Sequence, residues 1–121
     1  MNWSGRNVLI TGGAGHIGSH LAAELKKKDA NVRIADNLWR GKKEYLYEDG
    51  KPLIDFEKDF LEVDLREMKN CEDAVRGMDT VFHLADVVAG IDFVFGNEAF
   101  VYRSNVLINS NMFEATRKEK L

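Results

Sequence analysis

The sequence of 121 residues predicts an α/β fold, Rossmann-like in outline, on a parallel sheet of strand order 3-2-1-4. Three observations lead there. Short, almost wholly apolar runs recur, Val8-Leu9-Ile10 first among them, and such runs are strands covered on both faces. They alternate with stretches of helical period. A glycine-rich crossover, Thr11-Gly12-Gly13-Ala14-Gly15-His16-Ile17-Gly18, joins the first strand to the first helix.

Val8 to Ile10 form the first strand. From His16 the period changes. Ile17, Leu21 and Leu25 recur every four residues with Ala22 beside them, and Lys26-Lys27-Lys28 sets cations at the negative end of the helix dipole. Asn31 breaks the chain, and Val32 to Ala35 make a second strand ending at Asp36. Residues 37–55, with Gly41, Gly50 and Pro52, read as a surface loop containing a helical turn near Glu44–Tyr47. Phe60 to Val63 are a third strand ending at Asp64, and Glu67 to Arg76 a short helix. Thr80 to Ala85 are the fourth strand, and Val87 to Asn97 a glycine-containing loop. The last helix, Ala99 to Lys118, carries one stripe of Val101, Asn105, Ile108, Met112 and Ala115 and a second of Tyr102, Val106 and Phe113. The fourth strand is then an apolar edge (Val81-Phe82-His83-Leu84), and open apolar edges associate. With the second stripe, this predicts a homo-oligomer.

Composition narrows the function classes. With 45% hydrophobic and 31% charged residues the chain has the make-up of a soluble globular domain. A net charge of -3 argues against nucleic acid as the main partner. Cys71 stands alone, so no intrachain disulfide forms. No leader-like or membrane-spanning run is present, and the expected location is the cytoplasm, away from membranes.

The glycine crossover carries the chemistry. After a buried strand and at the start of a helix, it offers free N–H groups and a positive dipole end to a pyrophosphate. Both Gly13/Gly15/Gly18 and Gly12/Gly15/Gly18 fit a dinucleotide loop, and the Thr-Gly opening favours the second. A nucleoside-triphosphate loop is excluded because Ser19 stands where its lysine belongs. Asp36 follows at the spacing of a ribose-binding carboxylate, which would repel a 2′-phosphate and so prefer NAD over NADP. Arg40 lies near enough to soften that preference.

Taken together, Thr11-Gly12-x-x-Gly15-x-x-Gly18, Asp36-Asn37-Leu38, Asp64-Leu65 and His83-Leu84-Ala85 resemble the extended short-chain dehydrogenases/reductases that act on nucleotide sugars. The tail from Asn105 to Arg117 and the run Asp64 to Cys71 are similar to the GDP-mannose 3,5-epimerase branch. Asp36-Asn37-Leu38 looks more like the UDP-sugar epimerases and decarboxylases. The resemblance implies that Gly12, Gly15 and Gly18 cradle the pyrophosphate of NAD, with His16 and Ile17 supplying main-chain N–H groups. It further implies that Asp36, with Asn37 beside it, holds the ribose, and that Asp64 and Leu65 flank the adenine, the carboxylate accepting from its amino group. Leu84 and Ala85 would line the route to the nicotinamide, and Asn105 would stand near the active site. Asp86 departs from the family's usual alanine. Val87 to Asn97 would lie on the substrate side.

In such enzymes bound NAD oxidises a sugar carbon and later returns the hydride. The chemistry needs a serine or threonine and a Tyr-x-x-x-Lys pair on one helix face. Tyr47-Glu48-Asp49-Gly50-Lys51 has that spacing but lies in an irregular loop with a glycine inside, so it is a decoy. Residues 1–121 therefore read as one NAD-binding domain, ending after the helix that follows the fourth strand and lacking catalytic residues. The expected function is the NAD-binding portion of a nucleotide-sugar epimerase or dehydratase, inactive alone. The alternative is a stand-alone dinucleotide-binding or interaction module. His16 and His20 have metal-ligand spacing, but the phosphate loop claims His16 and no metal is expected. His83 reads as a satisfied core histidine, and Cys71 as a residue without a partner for nucleophilic work.

Overall fold

The computed structural model describes residues 2–87 and 91–121, the side chains of Ile91 and Asp92 excepted. The chain runs β1 (Asn7–Thr11), α1 (His16–Lys27), β2 (Asn31–Asp36), a 3-10 turn (Lys43–Leu46), β3 (Tyr47–Glu48), β4 (Lys51–Pro52), β5 (Phe60–Glu62), α2 (Met68–Val75), β6 (Thr80–His83), α3 (Ile91–Gly96) and α4 (Glu98–Lys118).

Four strands form a parallel sheet in the order β5-β2-β1-β6. This differs from the expected 3-2-1-4 only in numbering, because β3 and β4 form a separate antiparallel hairpin that the sequence reading did not contain. Asp49 and Gly50 turn it with φ of 52° and 76°. That hairpin holds Tyr47 and Lys51 on strands, so they do not share a helix face.

Successive strand residues point to opposite faces, and each face is covered. Val8 and Ile10 of β1 and Val32 and Ile34 of β2 join Ala22 and Leu25 of α1 in one layer of core, closed by Leu46, Ile54 and Phe60. Leu9 and Ala35 face the other way, onto Cys71, Ala74 and Val75 of α2 and Ile108, Met112 and Ala115 of α4. Arg33 of β2 donates from Nη1 to the carbonyls of Ala74 and Arg76 (2.9 and 2.8 Å), satisfying α2's C-terminal end, which has no basic residue in its own last turn.

Three expectations need correction. Ile17 does not share the buried stripe of α1: it is 73% exposed, and the buried residues of that helix are Gly18, Ser19, Ala22 and Leu25. Val87 to Asn97 is not simply a loop, since 91–96 form α3; residues 88–90 lie outside the described part. The second stripe of α4 is real but outward-facing, with Tyr102 75% and Phe113 74% exposed. Among the described residues no helix is long and apolar enough to cross a membrane.

Candidate functional site

The register of the sheet brings the C-terminal ends of its strands together. Thr11 sits opposite Ala35 on one side and His83 on the other, and Asp36 sits opposite Glu62. In an open parallel sheet this end is where a crevice forms. A cavity of about 630 Å³ opens there.

Its floor is the glycine crossover. Gly12 has φ of +70°, a left-handed conformation that glycine adopts freely, and a Cβ on it would stand 3.0 Å from the backbone of Leu84 and Ala85. A Cβ on Gly18 would lie 2.5 Å from the carbonyl oxygen of Gly12, so α1 can start this close only because residue 18 has no side chain. Gly12, Gly15 and Gly18 all line the cavity, whereas Gly13 abuts the side chain of Ile34. This selects the Gly12/Gly15/Gly18 register. Helix α1 begins at His16 after Gly15, which has no capping side chain, and its first ladder bond runs from the Ser19 N–H to the Gly15 carbonyl (2.9 Å). By helix geometry the N–H groups of His16, Ile17 and Gly18 have no carbonyl one turn back to bond. That donor set, facing an open cavity over a floor without Cβ atoms, fits a diphosphate.

Asp36 is buried at the rim. Its Oδ2 accepts the N–H of Ala14 (2.9 Å) and its Oδ1 that of Leu38 (2.8 Å), so it ties the glycine loop to the loop after β2. Lys42 N–H completes the tie by donating to the Ala14 carbonyl (3.0 Å), and Gly41 approaches Ala14 too closely for a Cβ. Each Asp36 oxygen keeps a second lone pair for a ligand hydroxyl. Asn37 lines the cavity beside it, its Oδ1 accepting the Trp39 N–H (3.0 Å).

Thr11, Leu84 and Ala85 form one unit. The Thr11 hydroxyl oxygen accepts the N–H groups of Leu84 (3.0 Å) and Ala85 (3.1 Å), which fills both its lone pairs. Its proton therefore points to His83 Nδ1 (2.6 Å), which leaves His83 Nε2 to donate to Asn109 Oδ1 (2.8 Å). His83 is satisfied as expected, though half-buried. Leu84 and Ala85 line the cavity.

Asp64 and Leu65 also line it, but not with the bonds the resemblance implies. Arg66 grips the Asp64 carboxylate: Nε lies 3.0 Å from both oxygens, Nη2 is 2.7 Å from Oδ2, and the Arg66 N–H donates to Oδ1 (2.9 Å). This guanidinium hydrogen bond holds the Asp64 carboxyl below the usual carboxylate range and raises Arg66 above its own. The turn beneath is fixed by Asn70, Cys71 and Asn111, which donate to the carbonyls of Asp64, Leu65 and Leu65 with Arg66, respectively. Burial pushes the Cys71 thiol up to about 11, so it is a structural donor and not a nucleophile.

Asn105 does not line the cavity. Its side chain accepts the Val87 N–H (2.6 Å) and donates to the Val87 carbonyl (3.4 Å), so it positions the chain leaving Asp86. Asp86 and Val87 do reach the cavity wall. His20 Nδ1 is 2.7 Å from the His16 carbonyl, so that hydrogen bond already engages the nitrogen. The residues that sequence reasoning missed are Trp39, Tyr45, Arg66 and Phe100, which complete the lining. Only Arg66, next to a motif residue, carried any signal.

The family model "NAD dependent epimerase/dehydratase family" matches residues 8–121. The chain belongs to this family. It is 38% identical over 117 residues to GDP-mannose 3,5-epimerase of Arabidopsis thaliana, covering 95% of this chain and 29% of that protein. It is 36% identical over 114 residues to the UDP-N-acetyl-alpha-D-glucosaminuronate decarboxylase of Bacillus cytotoxicus, covering 93% of this chain and 31% of that one. Among solved structures, the UDP-glucose 4-epimerase of Thermus thermophilus, in complex with NAD, superposes with a TM-score of 0.76 at 34% identity, covering 94% of this chain and 34% of that one. The chain thus spans about a third of the length of the relatives it matches.

Proposed function

We propose that this chain is the NAD-holding domain of a nucleotide-sugar epimerase or dehydratase, and that it does not turn over sugar nucleotides alone. One observation carries the reading: the cavity at the strand ends places the unbonded N–H groups of α1, the Asp36 carboxylate and the Asp64–Leu65 turn around a single space. NAD bound there would supply reversible hydride transfer at a sugar carbon. The N–H groups of His16, Ile17 and Gly18 would bind the diphosphate, and Asp36, with Asn37 beside it, would accept from the adenosine ribose. Leu84, Ala85 and Asp86 would face the nicotinamide end. The described residues offer no Tyr-x-x-x-Lys pair on a helix, which is why turnover by this chain is not expected.

Titration calorimetry with NAD and NADP tests the binding. NAD should bind, and Asp36→Ala should weaken NAD more than NADP, since the carboxylate that accepts from the ribose also repels a 2′-phosphate. An equal loss for both would count against the assignment of Asp36. Turnover of GDP- or UDP-sugars by the purified chain would overturn the claim that it works only as a binding domain. The outward Tyr102/Val106/Phe113 stripe of α4, together with the apolar edge strand β6, supports a homo-oligomer in solution, which light scattering would read.

A further inference from the structure

The hydrogen-bond acceptors around the Asp64–Leu65 turn are already engaged. Arg66 takes both carboxylate oxygens of Asp64 from the side and takes Oδ1 again through its own N–H. The Asp64 carbonyl accepts from Asn70 Nδ2 (2.9 Å) and the Glu67 N–H (3.2 Å), and the Leu65 carbonyl from Cys71 Sγ (3.1 Å) and Asn111 Nδ2 (3.2 Å). An exocyclic amino group entering here finds no vacant acceptor on those two residues.

The same end of the cavity instead offers flat faces. The guanidinium that Asp64 pins lies 5.9 Å from the centre of the Phe100 ring. Phe100 meets Trp39 edge-on at 6.5 Å, and Phe93 stands behind both, 5.6 Å from Trp39 and 6.3 Å from Phe100. Arg66, Phe100 and Trp39 all line the cavity, opposite the apolar surface of Ala35, Val63 and Ile108. These residues come from the loop after β2, the turn after β5 and the first turn of α4, so the wall exists only in the folded chain. Planar cations and aromatic rings hold bases by stacking, whatever groups the base carries on its edge.

We propose that the purine of the bound nucleotide is held by its faces, against the Arg66–Phe100–Trp39 wall, and that Asp64 acts on it only by fixing Arg66. The proposal rests on the reading that this cavity takes a dinucleotide, and the test separates the two. Calorimetry on the whole chain would compare NAD, ADP and purine riboside 5′-diphosphate, which lacks only the 6-amino group of ADP. ADP and the purine analogue should bind within about three-fold of each other, and Phe100→Ala should weaken both by about ten-fold, in keeping with the loss of one base-stacking ring. Phe100→Tyr, which keeps the ring, should restore the affinity. Phe100 is an exposed position, so the alanine variant removes no core residue. In a Trp3→Phe background, Trp39 emission should change on addition of ADP. An analogue bound at least ten-fold more weakly than ADP would mean that Asp64 releases Arg66 and reads the amino group, overturning the proposal. Unchanged affinity in Phe100→Ala would overturn it too, leaving the dinucleotide reading intact. Failure of the wild-type chain to bind NAD or ADP at all would overturn that reading and this proposal with it.

Discussion

Replacing Gly18 by alanine perturbs the site at its tightest backbone contact. The new Cβ would stand 2.5 Å from the Gly12 carbonyl oxygen and 2.7 Å from Gly13 Cα, and neither atom can rotate away as a side chain could. Reaching an ordinary contact of 3.4 Å requires the start of α1 and the glycine loop to part by about 0.9 Å. Such overpacking costs about 1–3 kcal/mol, and the better helix propensity of alanine returns up to about 1 kcal/mol. A net loss of about 1–2 kcal/mol should lower the melting temperature by about 4–8 °C for a domain of this size. The effect on binding should be larger in proportion, because a shift of that size misaligns the N–H groups of His16 to Gly18 with the diphosphate. Losing one hydrogen bond to a charged group is worth about 1.5–3 kcal/mol, so affinity for NAD should fall by about ten- to a hundred-fold. Gly96→Ala is the control, since a Cβ there meets nothing within 4 Å and the backbone is not left-handed. Thermal melts and calorimetry on both variants give the answer. A Gly18→Ala chain with the wild-type melting temperature and wild-type NAD affinity would refute the argument that this contact shapes the loop.

Thr11→Val keeps the volume but removes the acceptor of the Ala85 N–H and the donor to His83, and should destabilise by about 1–3 kcal/mol in urea titration, whereas Thr11→Ser should stay near wild type. Asp64 has a lower pKa folded than unfolded, because Arg66 hydrogen-bonds its charged form. Its contribution is therefore full above the unfolded value, about 3.9, and is lost as pH falls through the lowered folded one. Asp64→Asn should thus flatten the stability profile below about pH 4 and change its slope little at neutral pH; an unaltered acid limb would contradict this. With its thiol pushed up to about 11, Cys71 is about one part in a thousand thiolate at pH 8, and is buried besides. It should resist iodoacetamide in the folded chain and react on unfolding, as mass spectrometry would show; rapid labelling of the native protein would sink the assignment.

The strands were legible because both faces of the sheet are covered, which leaves Val8-Leu9-Ile10 and Val32 to Ala35 with almost no polar interruption. Ile17 misled because periodicity reports apolar spacing without saying what the face meets. The first turn of α1 looks into the cavity, so an apolar residue there is exposed in the described chain and still belongs to a site. Helix α3 was hidden by its length: six residues hold less than two turns, too few to establish a period against the neighbouring glycine. Asn105 sits within an apolar stripe, and its partner, Val87, lies 18 residues away, a bond no local pattern encodes.

The same distinction explains which parts of the site could be read. The diphosphate floor depends on main-chain geometry: where a strand ends, where a helix begins and where a Cβ cannot fit. Such constraints act over a few residues, so they surface as glycines at fixed spacing in one short segment. The wall of Trp39, Arg66 and Phe100 depends on side chains brought together from three distant segments, and each alone is an ordinary surface residue. A motif can therefore announce that a nucleotide is held while being silent, or wrong, about how its base is touched. The Asp64 carboxylate illustrates the second case. The motif assigns it to the adenine, but the next residue but one, Arg66, supplies a fork at 2.7–3.0 Å, and that local ion pair takes the oxygens that the motif would reserve for the base.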